Sequence, residues 1–321
     1  MHKNVKVCVA ACLFSLSGIA AAQYPDRTVE LIVPYAPGGT TDLIARIVAA
    51  KLSDVLAQSV VVVNKPGAGG AVGSAYGARQ KPDGYTLVMA VESSHAVNPS
   101  VQRKQQYDPV KDFTPISNLV NVPGVLDVNA NSDIKTFQQL LDALKADPDK
   151  FSFGSSGLGG YSHLFGERFL NETGTEMLHV PYNGLGPALT ALLGNQIQVV
   201  FDNLPSSTGQ IEAGAFRPLA VAAPTRVKSL PDVPTYAEVG YPQLNTPSWF
   251  GIAAPANIPT DVLSTLNKAI GETLADPKVI DLIEKQGGIP DHTSPEEFKQ
   301  LIDESNKRWQ GVVQDIGFEK L

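Results

Sequence analysis

Cysteine is nearly absent from this chain. Of its 321 residues only Cys8 and Cys12 are cysteines, and both lie ahead of residue 23. Once the leader described below is removed, no disulfide can form even in an oxidising compartment, so a hydrophobic core has to hold the fold. Positive charge is also short: 25 Lys and Arg stand against 32 Asp and Glu, a formal charge of −7. That excess repels nucleic acid and anionic membrane surfaces, so neither is expected as a partner. No stretch after residue 22 approaches the roughly 20 apolar residues of a membrane span. Catalytic signatures are missing as well. Reading G-x-S-x-G from Gly154 through Ser156 places Leu158 where the last glycine belongs, and a dinucleotide fingerprint over Gly67 and Gly69 fails at Val72. His163 and Glu167 are spaced as two metal ligands could be, but no third ligand accompanies them. No cofactor, metal or catalytic residue is therefore expected.

What is present begins with the leader. Lys3 and Lys6 precede an apolar run to Ile19, and Ala20, Ala21 and Ala22 supply small residues before Gln23. This pattern is that of a secretory signal peptide over 1–22, with the mature, soluble chain released outside the cytoplasm. The remainder is long enough for two ordinary domains.

The mature chain is organised around Leu31 to Leu56. Leu31, Ile32 and Val33 suit a strand buried on both faces, Pro34 and Pro37 halt it, and an apolar 3–4 period from Leu43 to Leu56 announces a helix. Gly38 and Gly39 leave backbone amides bare between them, and Thr40 or Thr41 can cap the helix. The unpaired first amides of a helix sit at the positive end of its dipole, so this loop can seat a carboxylate or phosphate. Strands at Val60 to Val63 and Thr86 to Ala90 complete a βαβαβ half with a parallel sheet, whose ligands belong beyond the strands' carboxyl ends.

A second half repeats the design. Val122 to Lys150 reads as a strand and a helix led by Ser132 or Asp133. Phe151 to Phe169 is again strand, glycine-rich loop and helix, with Gly154, Gly157, Gly159 and Gly160 baring amides and Ser155, Ser156 and Ser162 offering hydroxyls. Strands follow at Glu176 to Val180, Gln196 to Phe201, Phe216 to Ala222 and Trp249 to Ala253. The tail is helical, with a capping box at Ser294 and Glu297, and is expected to pack back on the first half. The fold class is thus α/β: two domains, each a mostly parallel sheet flanked by helices. The first comprises 23–121 plus 249–321 and the second 122–248, with the two glycine loops on facing walls of a hinged cleft.

Ordered motifs carry a family resemblance over nearly the whole mature chain. They are YPDRTVELIVPYAPGG (Tyr24 to Gly39), Asp42-x-x-Ala45-Arg46, NKPGAGG (Asn64 to Gly70), PDGYTL (Pro82 to Leu87), FGSSGLGGYSHL (Phe153 to Leu164), VPYNG (Val180 to Gly184), VFDNLPS (Val200 to Ser206) and WFGIAAPANIP (Trp249 to Pro259). In these the chain resembles the solute receptors of tripartite tricarboxylate transporters, the Bug family. The resemblance implies a periplasmic Venus flytrap of type II kind, no enzyme activity, and a small carboxylate ligand passed to an integral-membrane permease. It implies ligand contacts at Tyr35, Ala36, Gly39 and Thr41 on the first wall and at Ser155, Ser156, Gly157 and His163 on the second, with Asp202 near the cleft. Glu92 to Pro99 departs from the family pattern by carrying His95, which makes His95 a selectivity candidate. The receptor is expected to act as a monomer. A periplasmic sensor feeding a membrane signalling protein would use the same binding chemistry, and a hydrolase is the rival from another class.

Overall fold

The structure is a computed structural model that describes residues 24–321; the leader expected at 1–22 lies outside the described residues. Its first unit runs β1 (Val29–Val33), α1 (Thr40–Leu56), β2 (Val60–Asn64), α2 (Ala71–Ala78) and β3 (Thr86–Val91). Both β2 and β3 pair with β1 in parallel. Valine and isoleucine dominate β1 because it is covered on both sides: Ile32 enters one core cluster while Leu31 and Val33 enter another. Next come α3 (Asn98–Val101), β4 (Phe113–Val122), β5 (Gly124–Asn129) and α4 (Phe137–Ala146). The second unit then follows with β6 (Ser152–Ser155), α5 (Tyr161–Thr173), β7 (Leu178–Pro181), α6 (Leu185–Leu193), β8 (Val199–Asn203), α7 (Leu204–Glu212) and β9 (Phe216–Ala222). The chain returns through β10 (Ser248–Pro255), α8 (Thr260–Leu274), α9 (Pro277–Lys285), β11 (Ile289–Pro290) and α10 (Pro295–Asp315).

Two sheets result, ordered β11-β4-β10-β3-β1-β2 and β7-β6-β8-β5-β9. Each contains a three-strand parallel unit, as the sequence indicates, but antiparallel strands complete both. The sheets are therefore mixed rather than mostly parallel. In the first sheet it is β10 that runs antiparallel to both of its neighbours, β3 and β4. Strand β4 escapes a periodicity reading because Ser117 and Asn118 interrupt it; both are fully buried. They are tolerated because they are bonded: Thr293 Oγ1 accepts the Asn118 amide at 2.9 Å, and Asp291 Oδ2 accepts Asn118 Nδ2 at 2.9 Å. Pro123 alone separates β4 from β5, so one residue carries the chain from sheet to sheet, and its carbonyl accepts the Leu204 amide at 2.9 Å.

The terminal helices cover the first sheet, with α8 and α10 packed on β4 and α8 and α9 on α1. The Ser294–Glu297 capping box forms as expected. Elsewhere helix starts differ from the sequence reading. Thr136, not Ser132 or Asp133, caps α4 by accepting the Gln139 amide, and Gly39 stands at the N-cap of α1 with no side chain capping it. Trp249 and Trp309 are almost fully buried, and each finds a partner for its indole N–H, Ser305 Oγ and Glu92 Oε1 respectively. Losing either ring should cost about 3 to 5 kcal/mol.

Not every buried polar group is paired in this way, and among the described residues Asp127 is the carboxylate left without a partner on either oxygen. Asp127 on β5 is fully buried, and neither carboxyl oxygen has a hydrogen bond. Burial pushes its pKa up to about 7, against a lowering by Ser207. The folded chain then holds a proton that the unfolded chain releases, so stability should fall as pH rises from about 4 to about 7. Asp127→Asn is expected to flatten that slope, a difference on the order of 4 kcal/mol at pH 8, read from urea denaturation across the pH range.

Candidate binding cleft

The first wall is built around Asp42. This residue is 4 % exposed in the first turn of α1. Its Oδ2 accepts the Gly38 amide and Arg46 Nε, each at 2.9 Å, and its Oδ1 accepts Asn64 Nδ2 at 2.9 Å. Asn64, at the end of β2, also donates to the Tyr35 carbonyl at 3.1 Å. Four bonds thus fold the loop after β1 onto two neighbouring elements. Burial opposes ionisation of Asp42, but the bonds from Arg46, the Gly38 amide and Asn64, with the Arg46 charge, hold its pKa below the usual value. Tyr35 adds a further tie, its hydroxyl donating to the Gly69 carbonyl at 3.2 Å. Ala36 to Gly39 stay exposed, and a Cβ added at Gly38 or Gly39 would meet nothing within 4 Å. Among the described residues no acceptor bonds the amides of Thr40 and Thr41, so the dipole end of a 17-residue helix is open.

On the second wall most of the loop after β6 satisfies itself. Ser155 Oγ accepts the Gly157 amide at 3.2 Å and lies 2.7 Å from His179 Nε2. Ser162 Oγ accepts the Ser156 amide at 2.9 Å, and His163 Nδ1 accepts the Gly159 amide at 2.9 Å. Because Nδ1 accepts, the His163 proton sits on Nε2, which faces Glu167 Oε1 at 3.5 Å. The His163 ring also stacks on His179 with centroids 3.7 Å apart. What remains open is the start of α5, which has no side-chain cap, together with the exposed Ser156.

A third element reaches the first wall. Ser206, in the first turn of α7, places its Oγ 2.7 Å from Thr40 Oγ1. This hydroxyl pair joins the carboxyl-end loops of the two sheets, and it brings two helix starts without side-chain caps, α1 and α7, together.

The residues named from the sequence therefore separate into two groups. Tyr35, Ala36, Gly39, Thr41, Ser156 and Gly157 lie on or directly under the two loops. Ser155, His163, Asp202 and His95 have their side chains committed elsewhere. Ser155 and His163 shape the second loop by internal bonds and are nearly inaccessible. Asp202 braces the start of α7, its Oδ2 accepting Ser207 Oγ at 2.7 Å and its Oδ1 the Asn203 amide. Burial pushes its pKa well above the carboxylate range, against the Ser207 bond and with the help of Asp127. His95 corrects the sequence reading most. The wide π turn at Ser93–Val97 aims it into the core, where it is fully buried, packs edge-on to Phe113 at 4.7 Å and keeps Nδ1 2.9 Å from Ser94 Oγ. Asp42, Asn64, Thr40 and Ser206 carry no signal as site residues in the sequence. The first two sit inside longer motifs only as a charge and an amide, and the Thr40–Ser206 pair spans 166 positions that no local pattern connects.

With this geometry in place, similarity to known proteins can be weighed. A family model described as the tripartite tricarboxylate transporter family receptor matches residues 44–318. Protein BugT of Bordetella pertussis is 35 % identical over 322 aligned positions, covering 99 % of both chains. A Rhodopseudomonas palustris protein solved with adipate is 36 % identical with a TM-score of 0.87, the match covering 92 % of this chain and 98 % of that one. MatC from the same organism, solved with bound malate, is 29 % identical with a TM-score of 0.83 over 90 % of this chain and 100 % of that one. Fold and likeness together define a periplasmic binding protein. The chain belongs to the tripartite tricarboxylate transporter receptor family, as its motifs indicate.

Two predictions test the assignment of roles. Asp42→Ala removes the acceptor for three donors and should destabilise the fold by about 2 to 3 kcal/mol in chemical denaturation. His95→Phe should leave solute affinity within about twofold by calorimetry. Burial lowers the His95 pKa to about 3, so its stabilising neutrality is complete above the unfolded value of about 6.5 and is lost as pH falls from there toward 3. The variant should lack this loss, about 2 kcal/mol at pH 5.

Proposed function

We propose that this chain is a periplasmic receptor that captures a small organic carboxylate between two lobes, 23–121 plus 249–321 and 122–248, and delivers it to a membrane permease of the tripartite tricarboxylate type. The observation that carries this reading is the open amino end of α1, buttressed by Asp42 and bridged through Thr40 to Ser206 of the other sheet. A carboxylate there completes the missing hydrogen bonds of the helix and lies along its dipole. Neutral donors suit a carrier: amides and hydroxyls bind an anion without an arginine fork, whose stronger charge-assisted bonds would slow release. Adipate and malate in two relatives support the same ligand class. Binding of this kind needs no turnover, and the buried Ser155, bonded to the half-buried His179, is built as a loop support.

The reading is tested by a thermal-shift screen over aliphatic dicarboxylates, aromatic acids and amino acids, followed by recovery of the unaltered compound. At least one carboxylate should raise Tm and be recovered intact; chemical conversion would support an enzyme instead. For that carboxylate, Thr41→Ala with Ser156→Ala should weaken calorimetric affinity by about 1 to 3 kcal/mol. Unchanged affinity would remove both hydroxyls from the site.

A further inference from the structure

Residues 318–321, beyond α10, are fastened to the first half of the molecule. Leu321 N donates to the Val101 carbonyl at 2.8 Å, and Arg103 N donates back to the Leu321 carbonyl at 2.8 Å. Arg103 Nε donates to the Lys320 carbonyl at 2.7 Å, and its Nη2 meets Glu319 Oε1 at 2.6 Å. Val101 ends α3 and Arg103 follows it, and α3 packs on α10.

Side chains of the same stretch reach across to the second sheet. Phe318 lies edge-on to His163, centroids 5.6 Å apart. Leu321 Cδ1 and Val101 Cγ2 would stand only 2.9 and 3.2 Å from a Cβ at Gly159, whose φ of +71° also favours glycine. His163 and Gly159 are themselves joined by the bond between the Gly159 amide and Nδ1. The two residues touched from the first half are thus the pair that fixes the loop carrying Ser155, Ser156 and Gly157. Alongside, α5 and the end of α10 leave a groove of about 410 Å³ lined in part by Glu167, Asn171, Asp315 and Ile316.

From this we infer that residues 316–321 form a strap across the two halves, in which Phe318 and Leu321 are positioning residues for the solute loop after β6. They touch no solute; they hold His163 and Gly159 in register with the first half, so capture and release depend on them. The connection itself is independent of the function proposed above, and only its effect on solute rests on that reading.

The mature chain without cysteine makes the test direct. Lys81→Cys and Lys145→Cys, exposed positions on opposite halves, carry spin labels in the full mature chain, and pulsed dipolar spectroscopy gives the distance between them without solute. Phe318→Ala with Leu321→Ala should shift or broaden that distribution, and Phe318→Leu should restore it. Arg103→Ala frees the strap at an exposed position and should act in the same direction, which keeps the test valid if the double variant does not fold. With adipate or malate as probe, the double variant should dissociate about tenfold faster. An unchanged distance distribution together with dissociation within twofold of wild type overturns the strap. If wild type binds no carboxylate at all, the proposed function fails while the distance measurement still decides the strap.

Discussion

The loop after β1 exists in its observed form because one buried carboxylate, Asp42, is satisfied by three donors fixed in place by the fold. Gly38, Arg46 and Asn64 converge on it from the loop, the helix and the neighbouring strand. A loop with two prolines and two glycines would otherwise sample many conformations, and its amides would be solvated rather than aimed. With the Gly38 amide bonded to Asp42, those of Thr40 and Thr41 are left without an acceptor among the described residues. A local hydrogen-bond arrangement therefore becomes the electrostatic feature of the cleft.

The two walls are not equivalent, although their strand order repeats. On the first wall a buried anion shapes the loop and an open helix end remains. On the second wall histidine and serine side chains absorb the Ser156, Gly157 and Gly159 amides. The second design follows the rule that buried backbone groups are paired, whereas the first leaves the Thr40 and Thr41 amides as exceptions to it. Consequently the second loop is rigid by its own internal bonds and offers mainly Ser156 and the start of α5.

Communication between halves runs through side chains rather than through the two chain crossings alone. Tyr161 at the start of α5 meets Trp309 of α10 edge-on at 5.7 Å, and Trp309 and Arg308 both donate to the buried Glu92 at the end of β3. Thr40 and Ser206 touch at the rim, and Phe318 reaches His163. Apolar clusters of the two sheets merge around these contacts, since Phe153, Phe201, Trp249 and Trp309 belong to one core cluster. Any movement of one sheet against the other would have to repack these discrete contacts instead of bending a continuous surface.

Much of the architecture was legible because it rests on short-range pattern. The periods around Leu31 and Leu43, the paired glycine loops and the Ser294–Glu297 box are all local, and the core strands they announce form where expected. Polar β4 and serine-rich α7 were not legible, since Asn118 and Ser207 look solvent-facing until Asp291 and Asp202 are folded against them. His95 illustrates the same gap: a histidine in a polar loop reads as a ligand, and only the π turn reveals that it points inward. By itself the sequence determined the α/β units, their loops and the family, because periodicity, caps and turns act over a few residues. Tertiary structure alone decided which loop amides stay open and which side chains cross the cleft, because those choices depend on partners as far apart as Thr40 and Ser206, brought together only by packing.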